Sequence, residues 1–142
     1  MPLKIPLHIE TLNEDGCHVF VEGAAGGKPV RLLLDTGASR TVFDLQTLQT
    51  HHPDIHLEEN EDLAIGLGTE GMENYMVTIE NFVLGNHHLG TISAGALSID
   101  HVNQSYEMVG LSPISGVLGS DLLLRHKAII DYGKRELVLE KS

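Results

Sequence analysis

The stretch Leu32-Leu33-Leu34-Asp35-Thr36-Gly37-Ala38-Ser39 holds the residues best suited to chemistry. An apolar run ends directly in a carboxylate, a hydroxyl follows, and Gly37 allows a turn that a side chain would obstruct. The spacing predicts an acid at the lip of a core, surrounded by backbone amides. Asp, Thr and Gly are also ordinary turn residues, so a plain strand-to-turn boundary is the competing reading. From composition, a bare Asp-Thr-Gly arises by chance in roughly a few per cent of chains this long. A second stretch, Gly116-Val117-Leu118-Gly119-Ser120-Asp121-Leu122-Leu123-Leu124, reads as a strand, a glycine and a short apolar helix.

Other reactive side chains carry less. His51-His52-Pro53-Asp54-Ile55-His56 offers three imidazoles, but Pro53 breaks the helix that would align His52 with His56, and no metal site is expected. His87-His88 is expected in a solvated hairpin turn, and His126 at a helix end. Cys17 is expected as buried packing. Ser39 has no base beside it in sequence. Gly26-Gly27-Lys28 is followed by proline and makes no phosphate loop. No cofactor is expected.

The elements that must position Asp35 are mostly strands. Lys4–Glu10 and Cys17–Glu22 alternate with period two, and Pro29–Leu34 is continuously apolar, as in a strand buried on both faces. Further strands are expected around Leu63–Ile65, Tyr75–Ile79, Phe82–Leu84, Leu89–Leu97, Ala128–Tyr132 and Glu136–Leu139. One short helix is expected over Asp44–Thr50, with Asp44 as its cap, and another over Ser120–His126, with Ser120 as its cap. A weaker candidate spans Val102–Met108. Fifteen glycines among short strands fit an all-β domain. The 142 residues suit a single domain over 1–142. A formal charge of −11 is the wrong sign for nucleic acid or anionic membrane. The single cysteine and the lack of a long apolar run make a soluble cytoplasmic chain the expectation.

Taken in order, these motifs resemble the retropepsin-like aspartic proteases. Leu32–Ser39 is similar to their Asp-Thr-Gly-Ala/Ser loop, Val117-Leu118-Gly119 to the apolar signature that packs beneath that loop, and Ser120–Leu139 to their closing helix and final strands. The resemblance runs from about Cys17 onward and is nearer to microbial members than to retroviral ones, with Asp44–His56 inserted. It implies a closed, mostly antiparallel β-barrel with one or two short helices.

It also implies a mechanism. One ionised carboxylate takes a proton from water while a protonated partner polarises the amide and then protonates it. Two carboxyls about 3 Å apart cannot both ionise, so the dyad shares one proton. Asp-Thr-Gly occurs once in the chain, since Asp131-Tyr132-Gly133 reads as a hairpin turn. The resemblance therefore implies a homodimer, with Asp35 of each copy meeting on a two-fold axis. It puts Thr36 in a bond across that axis and gives Gly37 the role of letting the loops approach. Ala38 replaces a serine donor found in pepsin-like enzymes, which implies a dyad working at milder acidity; an optimum near pH 2 would contradict this. A flap over a peptide substrate is expected at Ile65–Gly71, with Gly66, Gly68 and Gly71 donating to it. Leu3–Ile9 and Glu136–Glu140 are candidates for a sheet shared between copies. The alternative function is a catalytically silent peptide-binding or dimerisation module of the same fold.

Overall fold

A computed structural model describes residues 2–12, 16–59 and 74–141. Its strands are β1 (Pro2–Pro6), β2 (His8–Leu12), β3 (Gly16–Ala25), β4 (Lys28–Leu34), β5 (Val42–Asp44), β6 (Glu58–Glu59), β7 (Tyr75–Leu84), β8 (His87–Leu97), β9 (Gly116–Leu118), β10 (Ile129–Asp131) and β11 (Glu136–Glu140). Among the described residues three helices interrupt them: α1 (Leu45–His51), α2 (Asp100–Met108) and α3 (Ser120–Arg125).

Hydrogen bonding runs β3-β4-β9-β5-β8-β7, and β7 returns to β3 through Gly23 opposite Leu84 and Ala24 opposite Val83. That ring of six strands is the closed barrel. Most of its pairings are antiparallel; β4–β9 and β5–β8 are parallel. β2 extends the barrel beyond β3, and β6 extends it beyond β7. A separate sheet joins β1, β11 and β10 in that order.

The run Lys4–Glu10 is therefore two strands, not one. Leu7 is buried and its N–H donates to the Arg135 carbonyl, so the chain passes from the small sheet into the barrel at that point. Within one chain, β1 pairs with β11 from Pro2 opposite Glu140 to Pro6 opposite Glu136. The two chain ends thus satisfy each other.

The apolar run before Asp35 packs on both faces, with Leu32 buried and Leu33 and Leu34 half-buried. Leu32 and Leu34 face the barrel interior with Phe43, Phe82 and Leu118. Leu33 faces a second cluster of Phe20, Val42, Leu97, Ile99, Tyr106 and Ile114, which α2 covers. This second cluster explains why the weaker candidate at Val102–Met108 forms a helix, α2. Helix α2 has no side-chain cap, and its docked Tyr106 together with Asn103 holds it. The Asn103 amide bonds Ile114 both ways, at 2.8 and 3.1 Å.

Asp44 caps α1 as expected, accepting from the Thr47 N–H at 3.1 Å. Ser120 does not cap α3: Gly119 occupies that position, and Ser120 is already helical. Cys17 is exposed, because the face that buries Val19 and Val21 runs past the barrel wall there. His87 lies in β8, with Nε2 bonded to the Lys4 carbonyl, and not in the turn. The strand expected at Leu63–Ile65 lies outside the described residues. Among the described residues no helix is long and apolar enough to cross a membrane.

Candidate active site

Asp35 follows β4 and continues its ladder, donating its N–H to the Leu118 carbonyl at 3.0 Å. Parallel pairing of Leu34 with Leu118 sets the two motifs side by side. Asp35 is half-buried, while Thr36 and Gly37 are exposed. Its carboxylate Oδ1 accepts from the Gly37 N–H at 2.9 Å, and its carbonyl accepts from Ala38 at 3.1 Å. The loop is thus a compact turn that holds its own acid in place.

The glycine at position 37 is not set by a left-handed backbone, since its φ is not positive. A Cβ there would stand 3.2 Å from Asp35 Oδ1 and crowd the carboxylate. Beneath the loop, Gly119 is more tightly constrained. A Cβ at that site would meet the Ala38 carbonyl oxygen at 2.8 Å and the Arg40 backbone at 2.7 Å. The next residue, Ser120, donates its N–H to the Ala38 carbonyl at 2.7 Å. The Val117-Leu118-Gly119 stretch is therefore the seat of the Asp35 loop.

Two supporting side chains escape a reading of motifs. Thr41 is fully buried, and its Oγ1 donates to Asp121 Oδ1 at 2.8 Å while accepting the Gly119 N–H at 3.0 Å. Asp121 Oδ1 also accepts the Thr41 N–H at 2.9 Å. Asp121 does lie in the first turn of α3, as expected, but its carboxylate ties that helix to the chain leaving the Asp35 loop. The only hint in the sequence is a hydroxyl and a carboxylate, each just downstream of one of the two motifs. Asp44 is a further tie, since its Oδ1 accepts the buried Ile99 N–H at 3.1 Å besides capping α1.

Among the described residues, Asp35, Thr36, Gly37 and Ala38 come together in this one turn. The expected flap residues Gly66, Gly68 and Gly71 lie outside the described residues. The histidines after α1 border a different cleft, of 690 Å³, at the other end of β4 beside Gly26. There His52 Nε2 donates to the Ala25 carbonyl at 3.2 Å, so this imidazole braces the β3–β4 turn. No group of three or more metal-ligating side chains converges among the described residues.

The crystal structure of a retropepsin-like aspartic protease from Rickettsia conorii is similar to this chain with a TM-score of 0.55 and 19% identity. The alignment covers 98% of this chain and 90% of the other. The retroviral protease-like domain of Ddi1 from Leishmania major also gives a TM-score of 0.55, at 12% identity, over 87% of this chain and 88% of that one. At these identities the likeness is one of fold, and it is the retropepsin-like fold that the motifs imply. A family model described as aspartyl protease matches residues 21–122. That span runs from the strand that flanks β4 to the helix that seats the Asp35 loop, and the chain belongs to this aspartyl protease family.

Proposed function

We propose that the chain is an aspartic endopeptidase whose catalytic carboxylate is Asp35, completed by the Asp35 of a second copy in a homodimer. The observation that carries this reading is a carboxylate fixed at three backbone points and still open to solvent. Its N–H is held by Leu118, its Oδ1 by Gly37, and its loop by Ser120, while Thr36 and Gly37 are exposed beside it. A rigid acid at an open lip can share a proton with a twin brought against it. Thr36 then bonds across the axis, and Ala38 leaves the dyad without the extra serine donor. The peptide lies extended above the dyad.

The small sheet supports the dimer. Its β1 edge carries Pro2 and Pro6, which cannot donate to a further strand. Its β10 edge carries none, and it exposes Ile129 at 62% and Tyr132 at 59%. That edge, and not an exchange of chain ends, is the surface we assign to the second copy. A single cysteine agrees with a cytoplasmic site of action.

Digestion of a random peptide library between about pH 3 and pH 7 tests the activity, since carboxylate dyads titrate in that acid range. Cleavage by the wild type, lost in a dimeric Asp35→Asn variant, is the expected result. Cleavage that survives in that variant rules the assignment out. Peptide binding without any cleavage identifies a silent module instead.

A further inference from the structure

The barrel closes on a short seam. β7 meets β3 through two register pairs, Gly23 with Leu84 and Ala24 with Val83. Farther back it meets β6 through two more, Glu59 with Tyr75 and Glu58 with Met76. Between the two, residues 77–82 have no strand partner on that side among the described residues, while β8 pairs along their other edge. At about 3.3 Å per residue, that is on the order of 20 Å of open strand edge. The 690 Å³ cleft lies along it, with Thr78, Glu80 and Asn81 on one wall and Gly26, His52 and Asp54 on the other. A hollow of 150 Å³ carries the groove on past Thr78 to Met76.

Both walls are built. A Cβ on Gly26 would stand 2.7 Å from the His52 ring, so the β3–β4 turn and the chain after α1 are packed in contact. The Gly26 N–H reaches the edge itself and donates to the Glu80 carbonyl at 3.0 Å. That bond shows that β7 takes a main-chain partner from the cleft side, and it marks where the open stretch ends. Between the Ile79–Ile92 and Phe82–Gly90 pairs, Glu80 and Asn81 stand against Thr91 alone, and Asn81 has a φ of 53°. A bulge of this kind turns the edge away from any long sheet. Successive residues of a strand present their backbone groups to alternate edges, which, counted back from Glu80, assigns the N–H and C=O of Thr78 to the cleft.

An edge sunk between two walls does not admit the rim of a second barrel, whose own β7 edge lies behind the same walls. A single extended chain fits. Among the described residues the cleft is lined by two carboxylates, Asp54 and Glu80, both exposed, and by no lysine or arginine. Pro53 and Ile55 add apolar surface. We propose that this cleft takes an extended, basic peptide segment of another protein, bound as a short strand added to β7. Main-chain bonds to the edge hold the segment, and Asp54 and Glu80 receive its lysine or arginine. The site lies apart from Asp35 and does not rest on the reading of that carboxylate.

An NMR titration tests the proposal, with the capped hexapeptide acetyl-Val-Thr-Lys-Val-Thr-Val-amide added to the full chain carrying Asp35→Asn, so that the probe stays intact. Amide shifts are expected at Gly26 and over residues 78–81, with a Kd below about 1 mM. The Thr78 amide should exchange freely in the unbound chain and slow by at least about tenfold in the complex. A probe N-methylated along its backbone should bind at least about tenfold more weakly, because its strand bonds are lost. Glutamate in place of the probe lysine should weaken binding about fivefold, and the exposed Glu80→Lys substitution should reverse that preference. No shifts at millimolar probe, shifts confined to the Asp35 loop, or a Thr78 amide already protected in the unbound chain each overturn the proposal. Equal binding of the N-methylated probe overturns the added strand, and equal binding of the lysine and glutamate probes overturns the basic partner. Binding at β7 by a wild-type chain that cuts no peptide removes the protease reading alone.

Discussion

Two Asp-X-Gly turns occur in this chain, at Asp35 and at Asp131, and in each the carboxylate is held by a nearby backbone N–H. Asp35 follows β4 and Asp131 ends β10, and each Oδ1 accepts one backbone N–H at 2.9 Å, from Gly37 two residues on and from Lys134 three residues on. A Cβ on the glycine would stand 3.2 Å from Oδ1 in the first and 3.3 Å in the second. The surroundings differ. Asp35 follows a strand packed on both faces, beside a parallel partner and above Gly119. Asp131 ends an edge strand and opens a hairpin into β11, with Tyr132 exposed. Similar turn sequences thus yield a seated acid in one place and a plain reversal in the other. Seating, not the tripeptide, is what separates the two carboxylates.

The comparison breaks hardest at the acids themselves. Asp35→Asn is expected to lower peptide turnover by at least about a thousandfold, since the proposed general acid–base chemistry is lost. Asp131→Asn should change it by less than about twofold, and initial rates on one fluorogenic peptide compare the two. The glycines come next. Gly119→Ala forces a methyl group against the Ala38 and Arg40 backbone and should cost about 3 kcal/mol. Gly133→Ala meets only the Asp131 side chain and should cost under about 1 kcal/mol. Urea unfolding at one fixed protein concentration measures both.

Thr41→Val keeps the shape of the side chain but strands the Gly119 N–H and removes a donor to Asp121. A loss of about 2 kcal/mol in the same urea assay is expected. The smallest effect belongs to Tyr106, whose phenol titrates above its ordinary 10.0. A raised folded value means that its contribution is whole below about pH 10 and is lost as pH climbs through the raised value. The stability gap between wild type and Tyr106→Phe should therefore narrow between pH 9 and pH 11, on either side of that 10.0. A gap that widens over that range contradicts the assignment.

Much of the Asp35 site is legible in the sequence because it is built from contiguous residues. Leu32–Ala38 supplies strand, acid and turn together, and Asp44 announces the start of α1 by a side chain that reaches only three residues on. The parts that escape depend on long-range partners. Ser120 looks like a cap, but the helix begins on Gly119, which the loop above it demands. Helix α2 has no capping side chain and is held by Tyr106 and Asn103 against residues distant along the chain. Lys4–Glu10 alternates like one strand, yet Arg135 claims the Leu7 N–H and divides it between two sheets.

Taken alone, the amino-acid order determined a strand that ends in an acid, a glycine-bearing apolar strand able to lie beneath it, and the order of the elements between them. Those features follow from local sterics and from the period of apolar residues, which a linear chain displays directly. Tertiary structure decided that Asp35 is seated and Asp131 is not, that β1 and β11 pair with each other, and that Tyr106 docks on His18 and Phe20. Each of these depends on strand register and on hydrogen bonds between residues far apart along the chain. Such partners are chosen only when the barrel closes and buried backbone groups must find one another.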